Sequence, residues 1–324
     1  KASQDNKNAI YYVAIEKNKS QNSCCMKKVV FIMVLLSAIA RLGLAQTQTK
    51  TDGLLPVKYE ELTAPDFVKA VEKSEGVCII PLGIMEKHGP HMPLGTDLIA
   101  ARNLAVNAAK MEYAVVFPEY YFGQINEAKH QPGTIAYSPE LTWKLLQETC
   151  NELARNGFSK IVLVNGHGGN NDFLHYFVFC QNAEAHPYQL FLYEPQIPDS
   201  EMAPAEKLVK SKVEEMHAGE RETSEMLAIR PDLVKLDAVK SESGNDQARL
   251  NNLPDFFTAL WWYARFPNHY AGDAQYANAQ LGKMLVDIQV KHLAKALRQV
   301  KEDSTLRKLQ EQYQKETSNP TKSK

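Results

Sequence analysis

The stretch VCIIPLGIMEKHGPHMPLGTD (Val77–Asp97) changes character halfway along. Its opening, VCIIPLG (Val77–Gly83), is a continuous apolar run closed by glycine, which reads as a strand buried on both faces. Its remainder sets Glu86, His88, His91 and Asp97 among glycines and prolines, a composition that bars a regular helix. It reads as a loop at a strand end that aims polar side chains at something.

Outward from there, strands and helices alternate. Apolar spacing predicts a helix over Asp97–Met111 and a second strand over AVVFP (Ala114–Pro118), followed by an irregular stretch over Pro118–Tyr137. Ser138, Pro139 and Glu140 form a helix start, and that helix runs to about Asn156. KIVLVNG (Lys160–Gly166) is a third buried strand, Gly169–Ala185 is helical, and YQLFLY (Tyr188–Tyr193) is a fourth strand. This alternation predicts an α/β fold, a three-layer α/β/α arrangement around a mostly parallel sheet. The second half reads as mainly helical, over Glu201–Glu214, Arg221–Ile229, Asp255–Arg265 and Ala274–Val300. No internal repeat is evident. A single domain is expected over residues 46–315, with a disordered polar tail over 316–324.

The N-terminal part reads differently. Met26 opens a run in which two lysines precede apolar residues from Val29 to Ala40, and small residues lead on to Gln46. This is the pattern of a secretory signal peptide over residues 26–45, cut after Ala45. The apolar run is too short to span a bilayer comfortably, and no cysteine follows it at a lipoprotein-type position. Residues 1–25 read as an over-extended gene start rather than folded protein. The expected product is exported to a periplasm, with no stable membrane anchor after the cut. Its charge is mildly acidic without any basic block, so nothing recommends nucleic acid as a partner. Cys24 and Cys25 fall before the cut. Cys78, Cys150 and Cys180 remain, without CxxC or Cys/His spacing, and read as buried free thiols, with one disulfide as the alternative.

Ligands in parallel sheets bind beyond the carboxyl ends of the strands, and two loops there are rich in chemistry. One is Pro81–Asp97. The other is NGHGGNN (Asn165–Asn171), in which two glycines after His167 allow a tight turn and a close approach to a ligand. A third cluster, HAGERETSEM (His217–Met226), supplies His217, Glu220 and Glu222. Carboxylates and imidazoles are ligands of zinc, manganese and iron. Glu86 and His88 are one residue apart, so an extended backbone presents both on one side. Asp97 returns toward them after the turn made by Pro90, Pro93 and Gly95. The two oxygens of one aspartate can bridge a pair of ions about 3.5–4 Å apart, an arrangement that activates water and polarises a carbonyl. The bland alternative for each histidine is a satisfied core or surface side chain.

These three motifs resemble those of the creatininase (creatinine amidohydrolase) family, in the family's order over about Pro56–Lys301. HQPGTIAYSPE (His130–Glu140) and HYAGDAQYANAQLG (His269–Gly282) are weaker echoes. The resemblance implies a two-metal amidohydrolase that cleaves C–N bonds of small cyclic or linear amides, with two divalent ions (zinc, manganese or iron) per subunit. It implies Glu86 and His167 on one ion, His88 on the other and Asp97 between them. Creatininase takes its remaining ligand from a glutamate two residues after the second-motif histidine. That position is Gly169 here, and Glu222 is the candidate replacement; its alternative is a helix-start carboxylate favoured by the helix dipole. His217 would protonate the leaving nitrogen, oriented by Glu220 or Glu222. His91, His130, Gly168, Gly169 and Asn170 are the candidate substrate contacts. The family's assembly into homo-oligomeric rings, often hexamers, implies the same here, with Trp261–Trp262–Tyr263 as a candidate interface anchor.

Departures from creatininase limit the substrate. Creatininase encloses its substrate with tryptophans in and just before the third motif, where this chain has none. Trp143, Trp261 and Trp262 are expected to serve core packing, and creatinine is not the expected substrate. Relatives with GHGGN include formamide hydrolases, a peptide-processing enzyme and a hydrolase of cyclic keto sugars, so reaction class transfers better than substrate. Two rival readings remain: a metal-dependent sugar isomerase, lyase or lactone hydrolase, and an exported binding protein without turnover.

Overall fold

The computed structural model describes residues 55–322. The leader, the cleavage site before Gln46, Cys24 and Cys25 lie outside the described residues. The first helix, α1 (Ala64–Lys73), starts with Thr63, whose hydroxyl accepts from Asp66 N–H. Then follow β1 (Val77–Leu82), α2 (Thr96–Met111), β2 (Val115–Val116), α3 (Pro139–Arg155), β3 (Lys160–Asn165), α4 (Asn171–Cys180) and β4 (Gln189–Leu192). All four strands are parallel in the order β2-β1-β3-β4.

The period-two rule of strands explains the layers. Cys78, Ile80, Leu82, Ile161 and Leu163 face one way, onto Leu146, Cys150 and Leu153 of α3 and Leu174 and Phe177 of α4. Val77, Ile79, Val162 and Val164 face the other way, onto Ala105, Ala108 and Ala109 of α2 and onto Leu293 and Leu297. Those two leucines belong to α8 (Ala279–Glu302), a long helix started by Asn278, whose side chain accepts from Leu281 N–H at 2.9 Å. Both faces of β1 are therefore covered, as its unbroken apolar run requires. Three layers result, matching the expected α/β/α class. Cys78, Cys150 and Cys180 are free thiols, the first two buried.

Several expected elements are shorter than read. β2 is confined to Val115–Val116, with the incoming chain at Val57 and Lys58 bonding Val116 on its outer side. The helix expected over Glu201–Glu214 is α5 (Asp199–Glu206). It stops there because the N–H groups of Lys210 and Ser211 turn onto the carboxylate of Glu220 instead. The next helix, α6 (Glu220–Ile229), carries the third motif. Of the helix expected over Asp255–Arg265 only α7 (Trp261–Arg265) forms. Phe256 and Phe257 before it are 71% and 79% exposed, so they offer no packing to sustain a helix. The last helix, α9 (Thr305–Thr317), extends into the stretch assigned to the tail. Among the described residues no helix is long and apolar enough to cross a membrane.

Candidate metal centre

The site forms where the sheet delivers its two motif loops side by side. Leu82 and Asn165 are in register at the ends of β1 and β3. The loop after β1 closes on itself through Glu86 N–H to Leu94 O (3.0 Å) and Met92 N–H to His88 O (3.3 Å). α2 then starts directly against the end of β1: a Cβ on Gly83 would lie 2.5 Å from Leu98 N, so glycine there lets Asp97 return beside Glu86. A Cβ on Gly166 would lie 2.9 Å from the Asp97 carbonyl oxygen.

Glu86, His88, Asp97, His167 and His217 are all buried. Asp97 Oδ1 lies 2.9 Å from His88 Nε2, and Asp97 Oδ2 lies 3.3 Å from His167 Nδ1. The two oxygens of one carboxylate therefore face two different imidazoles. Glu86 Oε1 is 2.7 Å from His167 Nδ1 and 4.0 Å from His88 Nε2. Donor atoms converge in two sets, Glu86–Asp97–His167 and Glu86–His88–His217. His88 Nδ1 sits 3.3 Å from the Glu86 carbonyl oxygen. A carbonyl only accepts, so Nδ1 donates a hydrogen to it, and Nε2 is the nitrogen turned to the cluster.

Electrostatics agrees with a cation position. Burial works against a charge on His88, but the Asp97 carboxylate outweighs it and raises the imidazole to about 9. Burial likewise opposes a charge on His167, and Glu86 outweighs it, holding that imidazole well above its ordinary range. Burial would raise Glu86, yet the neighbouring His167 and His217 pull it well below the carboxylate range. Glu86 Oε1, Asp97 Oδ2 and His167 Nε2 are buried without hydrogen-bond partners, although Glu86 Oε1 is so close to His167. Close approach without hydrogen-bond alignment is what ligands converging on one ion show, and the donor set of carboxylates and imidazoles suits zinc or manganese.

A cavity of about 260 Å³ opens at this cluster, lined by Glu86, Asp97, His167, Gly168, Gly169 and His217 and, from other parts of the chain, by Met216, Trp261, Trp262 and His269. Gly168 and Gly169 are therefore at the cavity, as expected. Three other expected substrate contacts are elsewhere. His91 is buried with Nε2 on the Thr223 hydroxyl at 2.8 Å and its ring against Tyr270, and burial lowers it to about 4. His130 is exposed, 2.9 Å from the Pro267 carbonyl, and packs edge-on to Tyr263. Asn170 is a buried staple: its Oδ1 accepts from Gln124 N–H and its Nδ2 donates to Asn165. Each satisfies a structural need that spacing alone could not separate from substrate contact.

Among the third-motif carboxylates, Glu220 is placed on the Lys210 and Ser211 N–H groups, turned to α5's exit rather than to His217. Glu222 borders the cavity, accepts from Ala218 N–H at 2.5 Å, and is raised to about 7 by burial. His217 Nε2 is 2.8 Å from the Lys87 carbonyl, and its ring centre lies 4.3 Å from that of His88, tilted by 38°. Burial and the charge on His88 push it well below its ordinary value, so it is a neutral imidazole.

Four residues of the site were not expected. Trp261 and Trp262, assigned to the core, form the cavity wall. His269 is buried with Nε2 against Glu86 Oε2, while Trp262 Nε1–H donates to its Nδ1 at 2.8 Å. The only signal for it was its place at the head of the weak HYAGD echo. Glu127 reaches in from the short turn Asn126–Ala128. A Cβ on Gly169 would lie 2.3 Å from His167 Nε2 and 2.7 Å from Glu127 Oε1, so the space a glutamate at 169 would need is taken.

Fold and site together describe an α/β/α protein with two candidate metal-holding groups of glutamate, aspartate and histidine, the donor types of a metal-dependent hydrolase. The family model described as "Creatininase: Creatinine amidohydrolase" matches residues 60–297, and the chain belongs to that family, whose reaction class is hydrolysis of carbon–nitrogen bonds. It is 27% identical over 264 residues to the creatinine amidohydrolase of Pseudomonas putida, covering 74% of this chain and 95% of that protein. It is 33% identical over 173 residues to the mycofactocin precursor peptide peptidase of Mycolicibacterium smegmatis, 49% of this chain and 60% of the relative. The crystal structure of a creatinine amidohydrolase (creatininase) superposes with a TM-score of 0.64 at 24% identity, over 77% of this chain and 99% of the other.

Proposed function

We propose that the chain hydrolyses a C–N bond of a small amide or lactam, with two divalent ions shared across Asp97. The observation that carries this reading is the split of Asp97 between His88 and His167, at 2.9 and 3.3 Å. Solved creatininases are described in Zn–Zn and Mn forms, which supports the choice of ions. Glu86 and His167 would hold one ion and His88 the other, with Glu222 beside the second. Such ions supply Lewis acidity toward a carbonyl and acidify water.

The chain's own groups do the rest. The Lys87 carbonyl accepts from His217 Nε2–H, which leaves Nδ1 as the nitrogen able to exchange a proton. A neutral imidazole at the cavity takes up a proton and hands it to the departing nitrogen, which a C–N bond needs as it breaks. Trp261, Trp262 and Met216 give the substrate an apolar wall, and about 260 Å³ limits it to a small molecule. Among the described residues no lysine or arginine lines this cavity, which favours a neutral or cationic substrate over an anionic one.

Metal analysis of the purified protein, followed by a screen of small amides and lactams in ¹⁸O-labelled water, tests the reading. About two ions per chain and label in the released acid are expected. Turnover without label would favour the isomerase or lyase alternative, and metal without any turnover the binding protein.

Two further proposals concern the setting. The Met26 leader supports export to the periplasm, and N-terminal sequencing of exported protein should begin near Gln46. Leu253, Phe256, Phe257, Leu260 and Tyr263, in the stretch around Trp261, are all exposed, and the Phe257 ring packs against that of Trp261. These exposed side chains support assembly into a homo-oligomer, and a monomer by light scattering at micromolar concentration would remove this proposal.

A further inference from the structure

Glu86 uses its two oxygens differently. Oε1 faces His167 Nδ1 at 2.7 Å. Oε2 faces His269 Nε2 closely and His217 Nε2 at 3.9 Å. What His269 does there follows from its other nitrogen. Trp262 Nε1–H can only donate, and it points at His269 Nδ1 at 2.8 Å. Nδ1 must therefore carry a lone pair, and the ring hydrogen sits on Nε2, facing the carboxylate. A nitrogen that carries a hydrogen has no lone pair for an ion.

We infer that His269 is a positioning residue for Glu86: its Nε2–H, fixed in place by Trp262, holds Oε2 so that Oε1 alone is presented to the ion. The inference rests on the metal-centre reading above. A ligating carboxylate whose second oxygen is free can swing into two-oxygen binding or rotate away; a donor on that oxygen prevents both. The backbone reinforces the tie, since the His269 carbonyl accepts from Gly89 N–H at 3.2 Å and the His269 N–H donates to Phe266 O at 3.0 Å. His269 is 2% exposed and Glu86 0%, so no solvent competes for the bond. His269 also adopts a left-handed backbone (φ 52°), which a histidine seldom does unless its surroundings hold it there. Because Trp262 lines the cavity, the same indole serves as substrate wall and as the anchor of the metal ligand's orientation.

The test uses ¹⁵N-histidine-labelled full-length protein, stripped of metal and then loaded with Zn²⁺, with the His269 signals identified by their loss in His269→Gln. The hydrogen should sit on Nε2 and not on Nδ1, with and without zinc. Chelator-competition titration should show His269→Leu weakening one of the two zinc sites roughly 10–100-fold. His269→Gln, which offers an amide N–H in place of Nε2–H, should recover most of that loss. Trp262→Phe keeps a smaller aromatic ring in the wall and removes the donor, so it should free the His269 tautomer even if His269→Leu fails to fold. A hydrogen on Nδ1, a zinc-induced change at Nε2 showing coordination, or unaltered zinc affinity in His269→Leu overturns the inference. Wild-type protein that takes up no zinc would instead sink the metal reading itself.

Discussion

The floor and the cover of the cavity are made by parts of the chain with opposite characters. The floor comes from loops at the ends of β1 and β3, strands in register and buried on both faces, and it consists of charged and imidazole groups. The cover comes from the stretch leading through α7 to His269, where regular structure is brief and large apolar side chains are exposed. Metal chemistry needs donor atoms fixed to a fraction of an ångström, which a packed sheet provides. Substrate fit needs shape, which an irregular segment can vary without disturbing the sheet. Changes in the floor should therefore alter whether ions are held, and most changes in the cover should alter what fits above them.

The largest effect is expected at Asp97. Because its two oxygens serve two imidazoles, Asp97→Ala should lose both ions and with them all measurable turnover, while Asp97→Asn should retain at most a weakened site. Metal content after dialysis checks this. Full metal content in Asp97→Ala would break the assignment of the floor as a shared two-ion site.

Next comes His217, which belongs to the floor by position but not by role. With Nε2–H committed to Lys87 O, His217→Gln should retain both ions and lose roughly 10²–10⁴-fold in turnover. The loss should shrink for an activated ester or anilide, whose leaving group needs less protonation. Loss of an ion in His217→Gln would make it a ligand, as its membership of the Glu86–His88–His217 set allows.

How legible was this in the sequence? The sheet was readable because strands buried on both faces cannot hide their apolar runs, and β1 and β3 match their expected extents closely. The meeting of Glu86, His88, Asp97 and His167 in one buried cluster was readable because their motifs are local: the loop that carries each side chain also bends to aim it. His269 was not, since its partner Glu86 lies far away in sequence and its role depends on an indole seven residues before it. Trp261 and Trp262 were given to the core because tryptophan usually goes there, and only tertiary placement shows them as a wall. Glu220 and Asn170 failed in the reverse direction. Their polar side chains satisfy distant backbone N–H groups, of Lys210, Ser211 and Gln124, which no local pattern announces.

Trp261 gives the sharper test of the cover. It lines the cavity without bonding to any residue of the cluster, unlike Trp262. Trp261→Ala should leave metal content unchanged and raise KM about tenfold or more, the effect of about 1.4 kcal/mol of lost substrate contact. Loss of metal in Trp261→Ala would erase the division between floor and cover.

The smallest effect concerns the rim where the floor meets α6. Glu225 lies one turn beyond Glu222, and burial, with the Glu222 charge adding to it, raises its carboxyl from 4.5 to about 7. Gln289 Nε2 donates to it at 2.8 Å, which offsets part of the burial penalty. A carboxyl whose folded value lies above its unfolded value binds more protons in the folded protein. Its contribution to stability is therefore greatest in acid and declines as pH rises from about 4.5 through about 7. Glu225→Gln removes the charge and retains a group of the same shape beside Gln289. In metal-free protein it should melt at the wild-type temperature near pH 5 and above it near pH 8, by about 2–4 °C for each kcal/mol recovered. A matched neutral substitution in the cover, such as Tyr263→Phe, should show no such pH dependence. If Glu225→Gln were equally stabilised at both pH values, the gain would come from packing, and the cost of crowding charge at the floor would have to be sought in Glu222 instead.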